Sequence, residues 1–276
     1  MNNLGQRVIT GVGFGVVLIA SVLFSQWSFA CIFLLINILG VLEFYKLVSG
    51  NTIHPQRIAG TVISTLLFLA AIGVSLMQFS FSWLLLMLPG MVWIFIAELY
   101  RKKEAPFSNI STTLIAIFYI TIPLMLLLFM GTLFTPGDDI QYHRGIVMGF
   151  IFLVWASDTG AYFAGSRFGR HRLFERISPK KSWEGFFGGL ATAALVAFFL
   201  SKYFTELTLL EWLITSVIVV TFGTLGDLVE SMLKRSLGVK DSGSLLPGHG
   251  GILDRFDAFF IAVPVVFCYY FLIGKF

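Results

Sequence analysis

The sequence predicts an all-α, polytopic integral membrane helical bundle of about nine transmembrane helices with a cytoplasmic N-terminus, on three observations. The 276 residues are 57% hydrophobic and only 12% charged, with 30 Phe, and a mean hydropathy of +0.87 lies far outside the range of soluble domains. The apolar residues fall into nine runs, each near the about 20 residues that cross a bilayer as a helix. The basic residues segregate between alternate loops, as they do in membrane proteins.

Taken in order, the first run, 8–24, follows the single basic Arg7 and continues without a small-residue cleavage site, so it reads as a retained span rather than a signal peptide. Runs 27–47 and 58–77 flank a short polar loop bracketed by Lys46 and Arg57. Run 83–99 ends at the basic cluster Arg101–Lys103, and 110–133 returns to the other side. Run 146–164 carries an acidic residue, Asp158, and is followed by the basic loop to 185–201. Runs 210–226 and 256–273 enclose the most polar segment of the chain. Alternating these loops from a cytoplasmic N-terminus collects 16 of 19 Lys and Arg residues on one side, leaving Arg144, Lys202 and Lys275 on the other. One span miscounted in the middle would scramble that division. The net charge of +4 then reflects topology and anionic headgroups, and argues against nucleic acid, because no continuous basic face is formed. Cys31 and Cys268 sit in predicted spans as small apolar fillers, giving no disulfide or zinc pattern.

Polarity is distributed unevenly. Residues 1–150 carry short loops and ordinary apolar runs, and read as a transmembrane scaffold; residues 151–276 read as the catalytic half, with motif loops facing the cytoplasm. No repeat of fixed period and no low-complexity linker divides them.

Three constellations carry chemistry. In S-D-T-G-A-Y (Ser157–Tyr162), Asp158 lies inside a span, where an ionisable group is costly and marks a site more often than not, a structural hydrogen bond being the competing reading. Ser157, Ala161 and Ala164 share a face on which another helix can approach closely. In the loop Gly165–Trp183, Pro179 sets a turn, Lys180 and Lys181 follow, and Ser182 is placed to cap a helix starting at Trp183, so an anion can meet two ammonium groups and free backbone N–H groups. Topology alone also asks for basic residues in that loop. The third runs from Gly226 to Asp257. If the helix continues past 226, Asp227, Glu230, Ser231 and Lys234 share a face, while Asp254 and Asp257 stand three apart at the head of the last span. Two carboxylate-bearing helix ends are thereby expected to meet at one divalent cation, for which carboxylate oxygens are hard ligands. Gly243, Gly248, Gly250 and Gly251, with Pro247, form a loop whose backbone can approach phosphates. His249 is an acid, a ligand or a structural hydrogen-bonding group. Capping and salt-bridge pairing is the competing reading of the whole set.

The stretch S-M-L-K-R-S-L-G-V-K-D-S-G-S-L-L-P-G-H-G-G-I-L-D-R-F-D (Ser231–Asp257) resembles the signature of phosphatidate cytidylyltransferases (CDP-diacylglycerol synthases), and every fixed position of that pattern is matched. S-D-T-G-A-Y, R-I-S-P-K-K-S-W-E-G and G-D-L-V-E-S resemble the same family, so the likeness covers roughly residues 150–260. It implies transfer of a cytidylyl group from CTP to phosphatidate, with pyrophosphate released and Mg²⁺ required, a second cation being left open. It further implies metal ligation by Asp227, Asp254 and Asp257, with Asp227, Asp254, Lys234 and Arg235 at the reacting groups. Substrate contacts would come from Lys180, Lys181, Ser182, Lys240, Asp241, His249, Arg255 and Asp158. The setting implied is a bacterial inner membrane, with the bilayer as partner, the active site open to cytoplasmic CTP, and a homodimer as an open question. Another CTP-dependent membrane enzyme, such as a polyprenol kinase, would use similar groups and differ in product. A transporter of anionic solutes would need broken helices in two related halves, and the D-G-x-x-A-R motif of CDP-alcohol phosphotransferases is lacking.

Overall fold

The computed structural model describes residues 3–132, 142–243 and 250–276, so His249, one of the expected substrate contacts, lies outside the described residues. Within them the chain forms nine helices, as the hydropathy pattern requires. They are α1 (Asn3–Phe24), α2 (Gln26–Val48), α3 (Arg57–Met77), α4 (Phe81–Arg101), α5 (Pro106–Thr132), α6 (Arg144–Phe168), α7 (Trp183–Tyr203), α8 (Leu209–Ser236) and α9 (Leu253–Leu272). Eight are long and apolar enough to cross a membrane; the apolar part of the first, Ile9–Phe24, is shorter. This is a membrane protein.

Local sequence explains the irregularities. A 3₁₀ turn, Phe81–Leu86, opens α4 behind the N-cap Ser80, whose hydroxyl accepts from Ser82 N. A π-helical turn, Ile117–Thr121, interrupts α5 just before Pro123, whose missing N–H removes a helical hydrogen bond. Helix α8 runs past residue 226 to Ser236, carrying the polar G-D-L-V-E-S-M-L-K-R stretch as helix. Between α6 and α7, strands β1 (Arg172–Phe174) and β2 (Ser178–Ser182) form a small antiparallel hairpin pairing Arg172 with Ser182 and Phe174 with Ser178, which hydropathy does not foreshadow.

The chain divides into two compact units. One contains the described residues of 1–133, Tyr142, and 241–255. Its interior is locked by polar bridges among apolar helices. Asn37 Nδ2 donates to Ser64 Oγ at 2.9 Å, and Ser64 Oγ meets Thr121 Oγ1 at 2.7 Å. Glu98, 5% exposed, accepts from Gln56 Nε2, Asn109 Nδ2 and an Arg101 guanidinium N–H, each at 2.7 Å. A carboxylate so placed in an apolar protein needs such donors.

The other unit contains residues 143–240 and 256–276. Here α6 and α7 are in close apposition along small residues, as the shared face of Ser157, Ala161 and Ala164 predicts. A Cβ at Gly189 would lie 2.8 Å from Ser157 O, one at Gly185 would lie 3.0 Å from Ala161 O, and one at Gly188 would strike Ala164 Cβ. Trp212 fills the space beside Gly149 and donates its indole N–H to Phe204 O at 3.2 Å.

Candidate active site

In the second unit, three carboxylates come together. Gly226 allows it, because its missing Cβ is the space taken by the carbonyl of Asp257, with Ala258 Cα 3.3 Å from where that Cβ would be. The close approach of α8 and α9 sets Asp227 and Glu230, one helical turn apart on α8, against Asp257, and one oxygen of each lies within 4.8 Å of the others. Glu230 is fully buried; Asp227 and Asp257 are half-buried. Two lysines offset this concentration of charge: Lys181 Nζ lies 2.6 Å from Asp227 Oδ2, and Lys234 Nζ lies 2.8 Å from Glu230 Oε2. Ser231 Oγ donates to Asp227 Oδ1 at 3.2 Å, and the Ala258 amide donates to Asp257 Oδ1 at 2.7 Å. Three converging carboxylates are the donor set a hard divalent cation prefers, so these residues fit a divalent metal ion.

The hairpin delivers Lys181 to this cluster. Ser182 is the N-cap of α7, as its sequence position predicts, and accepts the Gly185 N–H at 3.1 Å. Glu184, in the first turn of α7, clamps the residues leading into β1: it accepts the backbone N–H groups of Arg170 and His171 and lies 2.6 Å from His171 Nδ1. Lys181 leaves β2 between these anchors and also donates to Thr224 O at 3.2 Å. Lys180, Arg235 and Lys240 are exposed, and Arg235 donates to Val239 O at 3.1 Å. Asp158 is exposed on α6.

In the first unit, Asp254 organises the motif loop. Its Oδ2 accepts Ser242 N at 3.0 Å and Gly251 N at 2.8 Å, and lies 2.9 Å from Ser242 Oγ. Gly250 takes φ +79, a conformation that favours glycine. A second carboxylate, Glu43 of α2, enters the same loop: it accepts Ser242 Oγ at 2.5 Å, Ile252 N at 2.8 Å and Leu253 N at 3.1 Å. Asp241 and Arg255 are exposed.

Among the expected metal ligands, the structure therefore groups Asp227 with Asp257, adds Glu230, and gives Asp254 its described partners within the loop. Glu230 was legible as a member of the shared α8 face. Glu43 was legible only as a carboxylate in an apolar helix, the same signal that singles out Asp158.

The sequence profile of the cytidylyltransferase family matches residues 5–273. Proteins named phosphatidate cytidylyltransferase are similar to this chain. The one from Staphylococcus epidermidis is 37% identical over 236 residues, 83% of this chain and 85% of its own. That of Staphylococcus aureus is 35% identical over 237 residues, 83% and 86%. That of Haemophilus influenzae is 48% identical over 139 residues, spanning 48% of each. With its carboxylate cluster held on membrane-type helices and the family profile running nearly end to end, the chain belongs to the cytidylyltransferase family.

Proposed function

We propose that this protein makes CDP-diacylglycerol by transferring the cytidylyl group of CTP to phosphatidate at the inner face of a bacterial plasma membrane. The observation that carries the reading is the Asp227–Glu230–Asp257 cluster with Lys181 and Lys234 on its carboxylates, in a membrane protein of this family. Both reactants are polyanions, so charge neutralisation and alignment are the main demands of the chemistry.

A phosphate oxygen of phosphatidate bonds to the α-phosphorus of CTP as the bond to the β-phosphate oxygen breaks, and pyrophosphate leaves with the electron pair. The attacking oxygen is already ionised near neutral pH, so no side chain has to remove a proton. Asp227, Glu230 and Asp257 would hold the divalent cation. When bound, that ion would act as a Lewis acid, drawing charge from the phosphate oxygens. Lys181 and Lys234, on the carboxylates, are positioned to pass their ammonium donors to phosphate oxygens. Lys180, Arg235 and Lys240, exposed on the same unit, supply further positive charge to draw in CTP. The resemblance of the motif supports a part for Asp254, Asp241 and Arg255 in the same reaction. The distribution of Lys and Arg between alternate loops supports a cytoplasmic position for these groups.

The test supplies purified protein in detergent with Mg²⁺, phosphatidate and CTP labelled at either the α- or the γ-phosphate. Cytidylyl transfer puts the α-label into lipid and the γ-label into pyrophosphate. Label moving from the γ-position into lipid would instead identify a kinase and overturn the reading.

A further inference from the structure

Glu43 stands on α2, almost 200 positions before the motif it touches, in the half of the chain that its composition marks as scaffold. It is 9% exposed, and a carboxylate with so little access to water requires donors. Its hydrogen-bond donors in the described structure all belong to the motif loop: the Ser242 hydroxyl, and the amides of Ile252 and Leu253. Those two amides open α9, so Glu43 caps that helix from a different helix and places negative charge at its positive end.

The described ends of the loop are shaped around this carboxylate. A Cβ at Gly243 would lie 2.9 Å from Glu43 Oε2, and a Cβ at Gly251 would run into the Glu43 carboxylate itself. Ser242 then ties Glu43 to Asp254, since its hydroxyl lies 2.5 Å from Glu43 Oε1 and 2.9 Å from Asp254 Oδ2. Both ends of the loop are thus fastened to one side chain, and Asp254 is oriented by the same knot.

We propose that Glu43 is a positioning residue for the reaction: it holds together the two described ends of the motif loop, Ser242–Gly243 and Gly251–Leu253, and so sets the start of α9. This rests on the cytidylyl-transfer reading for the part the loop takes in turnover, while the clamp itself does not. Displacing reactive groups by about 1 Å can cost about 100-fold in rate, so a loosened loop is expected to be expensive even though Glu43 touches no substrate.

The experiment compares wild type with Glu43→Gln, Glu43→Asp, Gly251→Ala and the double variant Glu43→Gln/Gly251→Ala in detergent. Gln keeps the volume but replaces one acceptor oxygen with a donor that opposes the loop amides. Hydrogen exchange without metal or nucleotide is expected to accelerate about tenfold or more at Ile252 and Leu253 in Glu43→Gln, with α3 and α5 unchanged. Turnover is expected to fall about 100-fold in kcat, with Glu43→Asp intermediate. Gly251→Ala strikes the same knot from the loop side and is expected to reproduce the defect. The double variant should lose little beyond the worse single one, since residues in contact are not additive. Unchanged exchange at Ile252 and Leu253 in both Glu43→Gln and Gly251→Ala would overturn the clamp. Faster exchange with wild-type kcat and KM would overturn the positioning role. Wild-type protein that fails to form CDP-diacylglycerol would sink the functional reading instead, and the exchange data would still decide the clamp.

Discussion

Replacing Lys181 with Met tests the carboxylate cluster in a direction that general damage cannot imitate. The Lys181 ammonium lies 2.6 Å from Asp227 Oδ2, and the two side chains are 24% and 38% exposed. Unit charges separated by about 4 Å interact with about 1 kcal/mol in water and about 4 kcal/mol at an effective dielectric near 20. Partial exposure puts this pair toward the lower figure, about 1–2 kcal/mol. Lys181 opposes any cation at the same carboxylate by a comparable amount. Since about 1.4 kcal/mol is tenfold in an equilibrium constant, Lys181→Met should tighten Mn²⁺ binding about 5- to 30-fold in the absence of nucleotide. The same substitution removes a donor for phosphate, so KM for CTP should rise. Mn²⁺ titration by electron paramagnetic resonance measures the first effect and initial rates the second. Weaker metal binding in a folded Lys181→Met protein would refute the reasoning, because it would mean that Asp227 does not face the ion.

Asp227→Asn and Asp257→Asn are each expected to cut CTP-dependent CDP-diacylglycerol formation by at least about 100-fold while the protein remains monodisperse in detergent, checked by lipid product assay and size-exclusion chromatography. Asp254→Asn should be comparably impaired, and a normal rate there would remove Asp254 from the reaction. Glu98→Ala strips acceptors from Gln56, Asn109 and Arg101 and should cost about 2 kcal/mol, lowering Tm by about 4–8 °C in a thermal melt with activity per folded molecule retained. Lys102→Gln should leave turnover within about twofold of wild type, because an exposed loop lysine accounts for topology rather than catalysis.

What the sequence reveals follows from how local each requirement is. A spanning helix must be long and apolar over its own length, so α2 through α9 can be read from hydropathy alone, with boundaries that shift by a few residues except at the end of α8, which continues as polar helix from 226 to Ser236. The hairpin Arg172–Ser182 is invisible to that criterion, because its few ladder bonds and the Glu184 clamp on Arg170 and His171 depend on a turn and a cap rather than on periodicity. Steps of three and four put Asp227, Glu230 and Lys234 on one face of whatever helix carries them, so their grouping on α8 is a local property of the chain. Proximity of Asp257 to that face depends on Gly226, whose role appears only once α9 lies against it.

Glu43 shows the limit most clearly, because its partners lie far along the chain and no local pattern joins it to Ser242. The glycines it requires were legible as glycines, but not for the right neighbour. A residue without Cβ signals that something approaches the backbone, and that signal is identical for a phosphate and for a carboxylate. In the described loop the approaching group at Gly243 and Gly251 is the Glu43 side chain. Part of what reads as a phosphate-binding glycine pattern is therefore the imprint of a buried acid from the scaffold half. Substituting those glycines would disturb the loop's anchorage whether or not a nucleotide is bound.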